Sequence, residues 1–236
     1  MLNTSFMMKT FWASFRAIPV TLEITIVSLL LAILPAYGIA MARLRKVRHP
    51  VTARLGAIYI SFMRGTPIVL QILIVYSLFP SLLNAFCKKY LPDVNVFDMN
   101  PIVYALIVFT LNTIATLSEV FRSAMQTVDK GQYEAALCCG LSRFQSYVRI
   151  IIPQALVSAM PNICNLTVTL IKNTSLAFMM TVKDITAVAK TQASYGFYYI
   201  EAYLDIFLIY IIVCSAVQFG FKFAEKRLVK TGVKKC

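Results

Sequence analysis

Five stretches of this chain run for 18 to 25 residues with at most two charged side chains apiece: 18–42, 66–86, 101–121, 154–171 and 203–223. A helix of about 20 apolar residues crosses the roughly 30 Å hydrocarbon core of a bilayer. The pattern therefore predicts an all-α integral membrane protein with five transmembrane helices. The second stretch begins earlier, near Leu55, and an unbroken helix from there to Phe86 would reach about 48 Å, well beyond the core. Arg64-Gly65-Thr66-Pro67 interrupts it, so a break is expected at Gly65/Pro67 with the span following. The segment 174–190 is less apolar and holds Lys183 and Asp184, which predicts a short helix or re-entrant piece packed on protein.

Composition carries the same message and sharpens it. The chain is 59% hydrophobic and only 14% charged, yet its net charge is +13. A nucleic-acid-binding surface of that charge would be polar, and a disordered basic tail would lack the apolar content, so both are excluded. The position of the charge explains it. Fifteen of the 23 Lys and Arg fall in 43–54, in 122–149 and in the tail from Lys222 onward. With five spans these three regions share one side, and the excess of basic residues marks that side as cytoplasmic. The N-terminus is then outside, in a segment covering 1–16. Tyr90, Tyr195, Phe197, Tyr198, Tyr199 and Tyr203 fall in outer segments, where interfacial anchors belong. No signal-peptide pattern precedes the first apolar run, which is read as a retained span.

Metal and redox chemistry find little support. The six cysteines have no C-x-x-C spacing and the single His49 has no companion ligand. Within the spans, Asn112, Thr116 and Glu119 share one helix face, and Asn162, Asn165, Thr169 and Lys172 form a second stripe. Such stripes serve either as glue between helices or as the lining of a hydrophilic path. An unpaired charge in mid-membrane costs roughly 2.5–3.5 kcal/mol. Arg64 and Glu119 stand at similar depth with opposite sign, so a pair between them is expected, either as a fold-fixing contact or as a gate or substrate contact. Glu23, near the outer end of the first span, is expected to reach water.

The loop 122–153 is ordered in its sequence. A short helix over 133–139, a stop at Gly140 and a second helical start capped by Ser142 lead to Pro153. A helix of that length needs something to lie on, whether the membrane surface or a groove in a partner.

The run Glu134-Ala135-Ala136, then Gly140, then Ile150-x-Ile152-Pro153 resembles the Glu-Ala-Ala loop of bacterial binding-protein-dependent ABC importer permeases, where Ile152 is usually Leu. Arg64-Gly65-Thr66-Pro67 with Gln71, Ala115-x3-Glu119-Val120-Phe121-Arg122, and Lys172-Asn173-Thr174-Ser175-Leu176 resemble segments of the polar amino acid branch. The branch usually has Tyr at Thr116 and Asp at Asn173, and a smaller, less charged lining here bears on which amino acid passes and leaves the architecture intact. The resemblance covers about 15–225. It implies a type I ABC importer transmembrane domain over 17–224, with a cytoplasmic coupling helix and a basic cytoplasmic tail over 225–236. The expected location is the bacterial inner (cytoplasmic) membrane. The implied activity is alternating-access import of a polar amino acid such as cystine, glutamine or a basic amino acid. Implied partners are two ABC ATPase subunits, an extracytoplasmic binding protein, a second permease chain (the same or a similar one) and membrane lipid, with no nucleic acid. The chain lacks a G-x-x-x-x-G-K-[ST] phosphate loop, so ATP and Mg belong to the ATPase and no cofactor is expected on this chain. Coupling is assigned by the resemblance to Glu134, Ala135, Ala136 and Gly140, with Glu134 either pairing with the ATPase or capping its own helix. Path candidates are Asn112, Thr116, Glu119, Asn165, Thr169 and Arg64. Rival classes fit less well. An intramembrane enzyme needs paired acids, and Glu23 and Glu119 stand near opposite faces. A passive channel leaves the loop unexplained, and an exporter subunit would usually be larger or fused to its ATPase.

Overall fold

The computed structural model describes residues 2–44, 50–90 and 99–230. Arg45, Lys46 and Arg48 of the first basic loop, His49, and the tail beyond Lys230 lie outside the described residues. Among the described residues there is no strand. The helices are α1 (Thr4–Phe15), α2 (Ile18–Leu44), α3 (Pro50–Gly65), α4 (Ile68–Tyr90), α5 (Pro101–Gln126), α6 (Lys130–Cys138), α7 (Arg143–Ser146), α8 (Ile152–Thr174), α9 (Ile185–Ser194) and α10 (Tyr199–Lys230). Among the described residues five helical stretches are long and apolar enough to cross a membrane, and they take in the five expected spans. Their outward faces carry Leu30, Leu34, Leu82, Phe207 and Phe219, all exposed, as lipid-facing side chains are.

The centre of the bundle is the packing of α2 on α5. The buried face of α2 is small: Thr21, Thr25, Ser28, Ala32, Ala36 and Ala40. Small side chains let two backbones approach closely where no hydrophobic drive separates protein from lipid. Ala32 and Ala36 meet Ile114 and Leu117 of α5 and Leu166 of α8 in one buried cluster. On its other flank α2 receives α3, where a Cβ on Gly56 would stand 3.0 Å from Ile39 Cγ2. That contact leaves little room for any other residue.

The expected break falls between α3 and α4, at Thr66-Pro67. Pro67 cannot donate into the preceding turn. Gln71 compensates by donating from Nε2 to the Met63 carbonyl at 2.8 Å and to Thr66 Oγ1 at 2.8 Å. The expected short piece after α8 is also present. A 3₁₀ turn, Ser175–Met180, leads to α9, whose N-terminus is capped by buried Asp184 accepting from the Ala187 amide at 2.8 Å. Ile185, Ala189 and Ala193 bury the inner face of α9. Glu23 is exposed on the surface of α2.

Candidate functional site

The loop from α5 to α8 is built from local signals. Asp129 caps α6 by accepting from the Gly131 amide at 2.6 Å, so the helix starts at Lys130, before the expected Tyr133. Glu134 does not serve as that cap, and its side chain is exposed. Gly140 takes φ +78°, a left-handed turn that suits glycine, and its amide donates to the Leu137 carbonyl at 2.9 Å. Ser142 and Gln145 form a reciprocal capping box at the start of α7. One turn later the chain widens into a π-helical segment, Tyr147–Ile151, directly ahead of Pro153. A proline ring crowds the carbonyl four residues back in a regular helix, and the wider turn relieves it. On α6, Glu134 and Ala135 face outward with Leu137 and Cys138, whereas Ala136 is buried against the rest of the chain. Tyr133 packs on Tyr147, with ring centroids 5.5 Å apart, and so fastens α6 to the π segment.

Within the span region a recess of about 250 Å³ lies between α5 and α8. It brings together Asn112, Thr116, Asn165 and Thr169, four residues expected on a path, and adds Asn162 and Asn173. The hydroxyls of Thr116 and Thr169 donate to carbonyls on their own helices, at 3.2 and 2.8 Å. Asn112 Nδ2 donates to Gln71 Oε1 at 3.2 Å, so the glutamine that stitches the α3–α4 break also orients the recess. Asn162, Asn165 and Thr169 are exposed on the isolated chain. Polar side chains at that depth require protein or water against them. Lys172 departs from the expected stripe. It turns to the α10 side of α8, and Asn173 takes its place in the recess.

The expected pair of Arg64 and Glu119 does not form. Glu119 holds Arg43 and Arg122, the latter at 2.7 Å, and Arg122 also reaches Gln126 at 2.8 Å. The reason is helix placement. The face of α5 that bears Glu119 meets α2, whose last turn delivers Arg43. Arg64 ends the separate helix α3 and is exposed, with no acid in ion-pair range among the described residues. Neither Arg64 nor Glu119 lines the recess. Sequence reasoning missed Arg43 as a partner and Gln71 as a support. Gln71 stands one helical turn, four positions, after Pro67, which is the signal that could have pointed to it.

Residues 35–230 match the family described as binding-protein-dependent transport system inner membrane component. The L-cystine transport system permease protein TcyL of Bacillus subtilis (strain 168) is 36% identical over 90% of this chain and 86% of its own. The octopine transport system permease protein OccM of Rhizobium radiobacter is 32% identical, over 89% of this chain and 84% of its own. Among solved structures, an amino acid ABC transporter crystallised with histidines superposes with a TM-score of 0.78 at 23% identity, covering 96% of this chain and 99% of that one. The inward-facing MetNI methionine ABC transporter gives 0.73 at 14% identity, covering 92% and 96%. At these identities the two structures speak to the fold.

Proposed function

Because this chain belongs to the family of binding-protein-dependent transport system inner membrane components, and its relatives are permease subunits of amino acid ABC transporters, we propose L-cystine as its first candidate cargo. The chain is a membrane-spanning transport component, and ATP hydrolysis is the work of a separate subunit. Two ATPase subunits, each using ATP and Mg, dock on α6 through Glu134 and Ala135, while Gly140 holds the turn and buried Ala136 fixes the helix to the permease. A second permease chain covers the exposed asparagine face of α8, and a binding protein delivers cargo from outside. In this reading 17–224 is the transport domain, 1–16 lies outside, and 225–236 is a cytoplasmic tail in the bacterial inner membrane.

One observation carries the reading. α8 presents Asn162, Asn165 and Thr169 to the recess, and it continues backward through the π segment into α7, which the turn at Gly140 joins to α6 and the Tyr133–Tyr147 contact fastens to it. A pull on α6 is therefore transmitted to the wall that meets the cargo. The recess is lined by amides, hydroxyls and aliphatic side chains with no charge, which suits a polar cargo of no net charge. Asn112, Thr116, Asn165 and Thr169 supply hydrogen bonds to it. Glu119 and Arg64 stand outside the recess and have structural or gating roles. The test is ATP-dependent uptake by proteoliposomes holding the whole assembly with its binding protein, screened over a panel of radiolabelled amino acids that includes L-cystine. Accumulation of L-cystine supports the full reading. Accumulation of a different amino acid replaces the cargo, and accumulation of none rejects amino acid import.

A further inference from the structure

Beside α6, a cleft of about 470 Å³ lies where the end of α2 meets α7, the π segment and the start of α8. Tyr37 and Met41 contribute from α2, Arg143 and Phe144 from α7, Val148 from the π segment and Ile152 from α8. Two spans fix its depth. Tyr37 stands five residues before Ala42, the end of the first span, and Ile152 stands two residues ahead of Gln154, the start of the fourth. At about 1.5 Å per residue, both lie within about 8 Å of a span end. The cleft is therefore at the level where the hydrocarbon core gives way to the headgroups.

Its lining has two kinds of chemistry side by side. Arg143 is exposed and has no acid within ion-pair range among the described residues. Phe144, its chain neighbour, is 76% exposed, and Val148 is exposed as well. A guanidinium and an apolar wall thus open into one cleft, and an occupant has to bring an anion and an apolar body together. The protein partners proposed above are placed elsewhere. Glu134 and Ala135, assigned to the ATPase, do not line the cleft, and neither does the asparagine face of α8, assigned to the second permease chain. A molecule that carries a phosphate at headgroup depth and hydrocarbon just below it is a phospholipid. Arginine holds phosphate in a fork of charge-assisted hydrogen bonds, and basic pockets between membrane helices take anionic headgroups.

We propose that this cleft binds an anionic phospholipid from the leaflet on the α6 side, with its phosphate on Arg143 and an acyl chain along Met41, Val148 and Ile152. Phe144 lies against the same chain. Tyr133 and Tyr147 also border the cleft, so the lipid rests on the contact that fastens α6 to the π segment. A short helix such as α6 needs something to lie on, and the bound lipid is part of that bed.

The test uses the assembled permease and ATPase in nanodiscs of phosphatidylglycerol and phosphatidylcholine in equal amounts. Native mass spectrometry then counts the lipids that the assembly retains on release. Wild type is expected to retain phosphatidylglycerol over phosphatidylcholine by about fivefold or more. Arg143→Gln should lose most of that preference while still co-purifying with the ATPase subunit. Arg143→Lys should keep most of it, and Phe144→Ser should lower retention of both lipids. An undiminished preference in Arg143→Gln overturns the site, and so does a wild type with no preference. Displacement of the lipid by excess inorganic phosphate overturns it too, since the ligand is then a free anion. Loss of the ATPase subunit from Arg143→Gln makes the cleft part of the ATPase contact and likewise overturns it. None of these results bears on amino acid import, which the uptake screen tests separately.

Discussion

Glu119 shows how a single carboxylate can organise the end of the bundle where α2 meets α5 and α6 follows. It accepts from Arg122 through two nitrogens, at 3.0 and 2.7 Å, and also holds Arg43 across the α2–α5 contact. Removing the carboxylate leaves two guanidinium groups side by side without a counter-charge. Glu119→Gln is expected to lower stability by about 1–2 kcal/mol, the sites being only partly shielded from water. Arg64→Gln, at an exposed position without an ion pair among the described residues, should stay within about 0.5 kcal/mol. Thermal unfolding of the purified chain in detergent distinguishes the two. If Arg64→Gln costs as much as Glu119→Gln, the assignment of partners is wrong. Gln71 makes a comparable case, since its amide reaches both sides of the α3–α4 break and Asn112 as well. Gln71→Leu should cost about 1–3 kcal/mol by leaving buried polar groups unmatched. It should also weaken cargo affinity, because Asn112 loses its orienting partner; unchanged affinity would argue that Asn112 is not part of the path.

At the scale of elements, the spans and the interruption at Pro67 were legible because length and hydropathy act locally, and a bilayer punishes any departure from them. The α6 stop at Gly140 and the Ser142 cap were legible for the same reason: both are decided within a few residues. The Asp129 cap escaped notice because the loop offers several polar residues that can cap, and only the backbone geometry chooses among them. Pairing across helices was not legible. Arg64 and Glu119 match in depth and sign, but which face of α5 meets which helix depends on the small-residue seam of α2, a tertiary property. The polar stripe of α8 was half legible. Periodicity placed Asn162, Asn165 and Thr169 correctly, while Lys172 falls at the edge of the arc where a modest rotation turns it towards α10. Two glycines give element-scale tests. Gly56→Leu should push α3 off α2 and destabilise the chain by about 1–3 kcal/mol, measured by unfolding. Gly140→Val strains a left-handed turn by about 1–2 kcal/mol, and the expected result is loss of ATPase co-purification from a permease that still folds.

For the whole molecule, fifteen of the 23 basic residues fall in sequence regions that five spans put on one side, the side of the loop that bears α6. Two unrelated signals, charge bias and loop architecture, therefore designate the same face. The proposed mechanism runs from α6 across the Gly140 turn and the Tyr133–Tyr147 contact into α7, the π segment and α8, so that a movement imposed at α6 would move the asparagine face. The most direct test of that central claim is ATP-dependent uptake of L-cystine by proteoliposomes carrying the complete assembly, measured in parallel for wild type and Gly140→Val. The account predicts accumulation against a gradient for wild type and none for Gly140→Val. Uptake by Gly140→Val at the wild-type rate would contradict it.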